Sequence, residues 1–116
     1  NVYGTGKQVR DIIYATDVCE AFDAFYKSRK SGIYNIGGGS KTAISLLECI
    51  DLISKLTEKK PHVRFGPKRQ GDLLYFICEV SKAKRELGWE PKVRPQEGIT
   101  TLLTWIKENR YLFQQT

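Results

Sequence analysis

Several features that would define a membrane, secreted or metal-binding protein are missing from this 116-residue sequence. It has no apolar stretch approaching the roughly 20 residues that cross a bilayer, and Asn1–Gly6 lacks the charged and apolar regions of a signal peptide. It has one histidine and three cysteines, Cys19, Cys49 and Cys78, with no C-x-x-C pair. We therefore expect no membrane association, no metal site and no disulfides, with the cysteines buried as small apolar residues in a reducing cytoplasm.

Positive charge is in excess, since the sequence has 19 Lys and Arg residues and only 13 Asp and Glu residues, which gives a net charge of +6. The densest basic cluster runs from Lys55 to Arg69. It fits a solvated surface, a site for a small polyanion such as a diphosphate, or a nucleic-acid groove. Phe65 is the only aromatic residue between Tyr34 and Tyr75, so platforms for stacking bases are scarce there. We expect no nucleic-acid partner.

Four helices are predicted from apolar periodicity and from their end signals. Asp17 followed by Glu20 is a capping-box pattern, and Ser45–Glu48 is a full S-x-x-E box ahead of the most amphipathic segment. Ser81 is placed to cap a short third helix, and Pro95 to open the last one at its first position.

Short strands are predicted between the helices, at Lys7–Tyr14, Ile33–Ile36, Val63–Phe65 and Tyr75–Val80. No repeat, low-complexity segment or linker divides the chain. The sequence thus predicts one domain over residues 1–116, of the α/β class, or α+β if this piece is taken alone.

The usual catalytic and cofactor motifs are incomplete. Gly37 and Gly39 follow a predicted strand, but position 42 is Thr, so the G-x-G-x-x-G dinucleotide pattern fails. Tyr26 and Lys30 have the Tyr-x-x-x-Lys spacing of short-chain dehydrogenases, a spacing too common to carry weight by itself. We predict no catalytic, cofactor-binding or metal-binding residue in these 116 residues.

Anion contacts are the remaining possibility. Arg10 precedes Asp11, whose carboxylate could orient the guanidinium, and Arg69 lies three residues before Asp72 with Gly71 between them. Arginine suits a diphosphate because its planar fork donates two parallel hydrogen bonds, and an Asp can accept from two ribose hydroxyls. Spacing alone leaves ordinary surface ion pairs equally open.

Motifs along the whole chain resemble one enzyme family. Gly4–Asp17 is similar to the "G-x-G-x-Q-x-R-D-x-x-Y-x-x-D" segment of NAD-dependent epimerases and dehydratases acting on nucleotide sugars, within the extended short-chain dehydrogenases. Tyr34–Gly39 resembles their "YNIGGG", Arg69–Asp72 their "R-x-G-D", Lys82–Pro91 their "K-A-x-x-x-L-G-W-x-P", and Gly98–Trp105 the start of their final helix.

The resemblance implies roles for four residues. Arg10 and Arg69 match arginines that contact the diphosphate, Asp72 matches an acid that contacts the ribose, and Gln8 is a weaker candidate for the same pocket. It also implies that this chain is the C-terminal, substrate-binding part of a Rossmann-type enzyme. NAD and the catalytic groups would then belong to an N-terminal part, and this chain alone would be inactive.

Within the family, the amino-acid sequences of three segments are most similar to the CDP-tyvelose (CDP-paratose 2-) epimerase group: Gly37–Gly39, Ser45–Glu48 and Arg64–Gly66. A nucleotide-sugar 4,6-dehydratase, a UDP-glucose 4-epimerase, and a non-enzymatic module that forms a homodimer stay open as alternatives. The nucleotide-sugar interpretation depends on Arg10 and Arg69 converging on one cavity that accommodates a pyrophosphate.

Overall fold

The computed structural model describes residues 1–113, which fold into four helices and five short strands. The helices are α1 (Ala15–Ser28), α2 (Leu46–Thr57), α3 (Ser81–Leu87) and α4 (Pro95–Glu108). The strands are β1 (Val2–Tyr3), β2 (Val9–Asp11), β3 (Ala43–Ser45), β4 (Phe65–Gly66) and β5 (Tyr75–Phe76). This mixed α/β arrangement confirms the predicted fold class.

Two small sheets bring the beginning of the chain against residues 65–76. In the first, β1 runs parallel to β4, with Val2 opposite Phe65. In the second, β2 lies between β3, which is antiparallel to it, and β5, which is parallel, and Val9 is opposite both Ser45 and Tyr75. Residues far apart in sequence therefore lie side by side at the ends of these strands.

The strands differ from their predicted extents. The predicted strand Lys7–Tyr14 is reduced to β2, Tyr75–Val80 to its first two residues, and β3 is an addition that the sequence pattern did not predict. The predicted strand Ile33–Ile36 is wrong: within residues 1–113 this segment joins no ladder. Side chains tether it instead, since Lys82 donates to the Ile33 carbonyl at 2.9 Å. A segment with high strand propensity that has no neighbouring strand to pair with stays an extended chain and does not form a strand of a sheet.

The start of α2 confirms the predicted capping box. The Glu48 backbone N–H donates to the Ser45 hydroxyl at 3.2 Å, and the Ser45 N–H donates to the Glu48 carboxylate at 2.8 Å. The hydrogen bonds from Ser45 lower the pKa of the Glu48 carboxyl. Two backbone N–H groups that a helix start leaves without partners are thus satisfied locally.

Replacing Ser45 with alanine is expected to lower the free energy of unfolding by about 1 kcal/mol, because the Glu48 N–H loses its acceptor. Ser31→Ala is the matched control, since Ser31 is exposed and forms no side-chain hydrogen bond within residues 1–113. Urea denaturation measures the free energy of unfolding of both variants.

A carboxyl with a lowered folded-state pKa, such as that of Glu48, stabilises the fold above its unfolded-state pKa and loses that effect as the pH falls through the folded-state value. The difference between Ser45→Ala and the parent should therefore shrink in acid, and equal unfolding midpoints at neutral pH would contradict the assignment.

The predicted capping box at the start of α1 is wrong. This helix begins at Ala15, one residue after Tyr14, whose side chain caps nothing. Asp17 lies inside the first turn and is 1% exposed. Its carboxylate accepts hydrogen bonds from the backbone N–H groups of Lys92 at 3.2 Å and Val93 at 3.0 Å. Asp17 therefore joins α1 to the segment between α3 and α4.

The core lies where α1 and α3 meet this segment. Trp89 is 3% exposed, packs with Ala21 and Ala83, and donates its indole N–H to the Asp17 carbonyl at 3.0 Å. Gly88 is the left-handed residue that ends α3, and Pro95 is confirmed as the first residue of α4.

Two smaller predictions fail near this core. Ser81 is the first residue of α3 and not its cap, and its N–H donates to the Glu79 carboxylate at 2.6 Å. This hydrogen bond lowers the pKa of Glu79. Cys19 is exposed, whereas Cys49 and Cys78 are partly buried, and all three are free thiols.

Candidate functional site

A cavity of about 470 Å³ opens where the two sheets adjoin. The pairing of β1 with β4 supplies one wall, and the start of β2 beside the turn at residues 69–72 supplies the other. In this turn the Asp72 N–H donates to the Arg69 carbonyl at 3.4 Å, and Gly71 adopts a φ of 79°, a left-handed value that favours glycine. The cavity is lined by Asn1, Tyr3, Gln8, Leu46, Arg69, Gln70, Gly71 and Asp72.

Asp72 joins two of the predicted site residues. Its carboxylate accepts from the Arg10 guanidinium at 3.0 Å and from the Gln8 side-chain amide at 3.5 Å. Arg10 also donates to the Val9 carbonyl at 2.8 Å. The sequence suggested Asp11 as the partner of Arg10, and this is corrected: neighbouring residues of a strand point to opposite faces, so Asp72 on the adjacent segment takes that place.

Arg69 is held differently. The centre of its guanidinium lies 3.9 Å from the centroid of the Tyr3 ring, which is the geometry of a cation–π contact. Within residues 1–113 no carboxylate forms a salt bridge with it and no hydrogen bond engages its side chain. The N–H groups at the edge of this guanidinium are therefore free to bind an anion.

The prediction that Arg10 and Arg69 converge on one cavity is corrected, because the two arginines line two adjoining cavities. Arg10 lines a second cavity of about 310 Å³, which shares Gln8 and Leu46 with the first. Asp72 lies at the junction, because it lines the first cavity and accepts from Arg10. The structure thus brings Gln8, Arg10 and Asp72 together and places Arg69 across the first cavity.

The N-terminus of α2 faces the same region but adds no free donors. The Leu46 N–H donates to the Gln8 carbonyl at 3.2 Å, and the Leu47 N–H donates to the Gly6 carbonyl at 3.0 Å. The next N–H, that of Glu48, is taken by its cap. A helix N-terminus binds anions through free N–H groups, so within residues 1–113 the cationic groups at the two cavities are Arg69 and Arg10 and not this helix end.

The glycines Gly37–Gly39 allow close packing and do not form a phosphate-binding loop. All three glycines are buried, and a Cβ placed on Gly38 would collide with the Thr42 hydroxyl and the Ile12 backbone. The Asp11 carboxylate accepts from the Gly39 N–H at 2.9 Å and the Cys78 N–H at 3.1 Å. Protein atoms therefore occupy the space directly over Gly38, where a phosphate would have to approach the backbone. These residues do not fit NAD.

The pair Tyr26 and Lys30 does not form a Tyr–Lys couple. The Tyr26 ring is 66% exposed and lies 4.7 Å from the Arg29 guanidinium, while Lys30 donates to the Glu86 carbonyl at 2.6 Å. Residues 1–113 also contain no cluster of three or more side chains suited to a metal ion. In the same stretch, no helix combines the length and apolar character that crossing a membrane requires.

Sequence reasoning missed Tyr3. Its contact with Arg69 joins residues 66 positions apart, and only the pairing of β1 with β4 brings them together. A tyrosine in a strand does not by itself indicate a binding site. The one available signal was its position directly before the Gly4–Gly6 turn, which begins the motif that contains Gln8 and Arg10.

Comparison with known proteins identifies relatives over nearly the whole chain. The family model described as GDP-mannose 4,6 dehydratase matches residues 1–102. The chain is 33% identical over 108 residues to a UDP-glucuronate 4-epimerase of Thermodesulfobacterium geofontis, which covers 93% of this chain and 33% of that protein. It is 37% identical over 114 residues to the dTDP-D-glucose 4,6-dehydratase of Bos taurus, with 93% and 32% covered.

A solved structure of the same kind of enzyme is also similar over nearly the whole chain. The UDP-glucuronic acid 4-epimerase of Bacillus cereus, in complex with UDP-glucuronic acid and NAD, superimposes with a TM-score of 0.82 at 27% identity. The match covers 92% of this chain and 34% of that one. The chain thus spans about a third of the length of the relatives it matches.

Proposed function

Because this chain belongs to the family of NAD-dependent nucleotide-sugar epimerases and dehydratases that the GDP-mannose 4,6 dehydratase model describes, we propose that it binds the nucleoside diphosphate part of a nucleotide sugar. The observation that carries the proposal is the Arg69 guanidinium, which lines a cavity of about 470 Å³ and has no carboxylate partner within residues 1–113. A cavity of this size accommodates a small polar ligand, and a free planar fork is suited to pyrophosphate oxygens.

The other site residues complete this arrangement. Arg10 supplies a second cation at the far side of Asp72, within reach of an anion that spans the two adjoining cavities. Asp72 is 26% exposed and keeps accepting capacity toward the cavity for the hydroxyl groups of a ribose. Gln8 donates to the Tyr3 carbonyl at 3.0 Å and so joins two residues that line the first cavity.

The identity of the sugar and the chemistry are parts of the same proposal. We favour the substrate of a CDP-tyvelose 2-epimerase-like enzyme, because the sequences of three segments resemble that group: Gly37–Gly39, Ser45–Glu48 and Arg64–Gly66. A nucleotide-sugar 4,6-dehydratase or UDP-glucose 4-epimerase is the alternative, supported by relatives of those kinds. NAD and the groups that move hydride and protons belong, in this proposal, to a preceding part of a longer protein, in the cytoplasm. Residues 1–116 then bind substrate and turn nothing over alone.

Titration calorimetry of the 116-residue chain with CDP, UDP and dTDP tests the proposal. Arg69→Ala is expected to weaken binding of the preferred diphosphate at least tenfold, because a charge-assisted pair of hydrogen bonds to the pyrophosphate is lost. Lys59→Ala is the control: it removes the same charge from an exposed residue of the basic cluster that does not line the cavity. Equal affinities for Arg69→Ala and the parent, or no binding by the parent, would contradict the proposal.

Association through an apolar surface is a second candidate. A groove of about 210 Å³ between α1 and the Gly32–Ile36 segment is apolar, and Phe22 and Ile33 beside it are 71% and 87% exposed. Exposed apolar surface of this kind is typical of an interface. A homodimer that buries it would appear in sedimentation equilibrium as a mass that rises with concentration.

A further inference from the structure

Tyr3 is fixed in position by its backbone. The residues on both sides of it donate to β4, Val2 to the Arg64 carbonyl at 2.7 Å and Gly4 to the Gly66 carbonyl at 3.0 Å. Its own carbonyl accepts from the Gln8 side chain at 3.0 Å. The ring is 38% exposed and forms part of the cavity wall. Tyr3 is thus a rigid aromatic surface at the edge of the cavity.

Arg69, in contrast, has little else to hold it. It is exposed, lies on a turn that contains Gly71, and within residues 1–113 has neither a salt bridge nor a side-chain hydrogen bond. A long arginine side chain in that setting samples many rotamers, and ordering it on binding has an entropic cost. The contact with the Tyr3 ring, 3.9 Å from the centroid, is the interaction that restricts it.

The geometry of this contact leaves the binding groups free. A cation–π contact uses the face of the guanidinium, whereas hydrogen bonds to phosphate oxygens use the N–H groups at its edge. Arg10 is held in a different way, because hydrogen bonds from its edge to Asp72 and to the Val9 carbonyl fix its guanidinium and use two of its five N–H groups. Of the two arginines that line the cavities, Arg69 is therefore the one held by its face, and within residues 1–113 the whole edge of its guanidinium stays available.

We infer that Tyr3 is a positioning residue: its ring holds the Arg69 guanidinium in the plane that receives the diphosphate, and its contribution to ligand affinity passes through Arg69. This inference rests on the proposed diphosphate site. It assigns a role to the aromatic ring, since the phenol hydroxyl takes no part in the contact. Phenylalanine should therefore replace Tyr3 without loss, and an aliphatic residue should not.

A double-mutant cycle on the 116-residue chain tests the inference, with CDP, UDP and dTDP as ligands and titration calorimetry as the measurement. Tyr3→Leu is expected to weaken binding of the preferred diphosphate about fivefold, and Tyr3→Phe less than twofold. In the Arg69→Ala background, Tyr3→Leu should have no further effect, because the group that it positions is gone. If Tyr3→Leu weakens binding equally in both backgrounds, the ring contacts the ligand directly and the inference is overturned.

A second measurement needs no ligand and separates the two proposals. Ring currents from Tyr3 should shift the side-chain proton resonances of Arg69 in the parent and in Tyr3→Phe, and the shift should vanish in Tyr3→Leu. Without a shift in the parent, the positioning role is wrong even if diphosphates bind. With a shift but no binding of any of the three diphosphates, the proposed function fails, and the positioning role fails with it. Circular dichroism checks that each variant folds, and Tyr3→Val, a good strand residue, replaces Tyr3→Leu if that variant does not.

Discussion

Replacing Asp17 with alanine is expected to lower the free energy of unfolding by about 2–5 kcal/mol, because two backbone donors lose the acceptor that they have within residues 1–113. The side chain is 1% exposed, and its carboxylate accepts the N–H groups of Lys92 and Val93. The same residue joins α1 to the segment that carries Trp89. The loss is a large fraction of the stability of a domain of this size.

Denaturation by guanidinium chloride, followed by tryptophan fluorescence, measures the change. Asp23→Ala is the control, since Asp23 is on the same helix but in the described part of the chain forms a salt bridge with Lys27 alone, and its carboxylate is 57% exposed. A surface pair of this kind contributes at most about 1 kcal/mol. Both N–H groups donate to the same carboxylate oxygen, and the amide oxygen of Asp17→Asn can take its place, so this variant should lose less than Asp17→Ala. A change below about 0.5 kcal/mol for Asp17→Ala would show that the carboxylate does not bind these donors.

Replacing Trp89 with alanine is expected to cost about 3–5 kcal/mol, by loss of buried apolar area and by the cavity left behind. The indole is 3% exposed, packs on Ala21 and Ala83, and donates to the Asp17 carbonyl. Two small neighbours cannot close the space by changing rotamer. Trp89→Phe retains part of the area but loses the hydrogen bond, and we expect an intermediate loss.

Trp105 provides the matched control for this substitution. It is 46% exposed and packs edge-on against Phe113, with 6.2 Å between ring centroids. Trp105→Ala should therefore cost less than about 1.5 kcal/mol. Unfolding curves recorded by far-ultraviolet circular dichroism compare the two, since each variant loses one of the fluorescent residues. Equal losses at the two positions would mean that Trp89 is not the centre of the core.

Two signals that act within one turn of chain were predicted correctly, although the local prediction of Ser81 as a cap was not. The Ser45 box and Pro95 at the start of α4 both depend on residues at most four positions away. Asp17 shows the limit of such signals. It has the residue type and spacing of a cap, yet its partners are 75 and 76 positions along the chain, and burial there outweighs the local preference.

The candidate site divides in the same way. The family motifs pointed to Gln8, Arg10 and Asp72, which the structure brings into contact, and to Arg69 across the cavity. What spacing could not give is the pairing inside this set: Arg10 with Asp72 in place of Asp11. Those contacts follow from strand register, and strands of two or three residues leave too short a pattern to fix a register in advance.

The parallel pairings of β1 with β4 and of β2 with β5 make the cavity a composite of two distant stretches of polypeptide. The connection between them passes through exposed residues 58–62. A protease cut there would put Gln8 and Arg10 on one fragment and Arg69 and Asp72 on the other. Nucleotide binding by the nicked protein would then require the halves to reassociate, so its apparent affinity would depend on fragment concentration, and the ligand would act as a reporter of complementation.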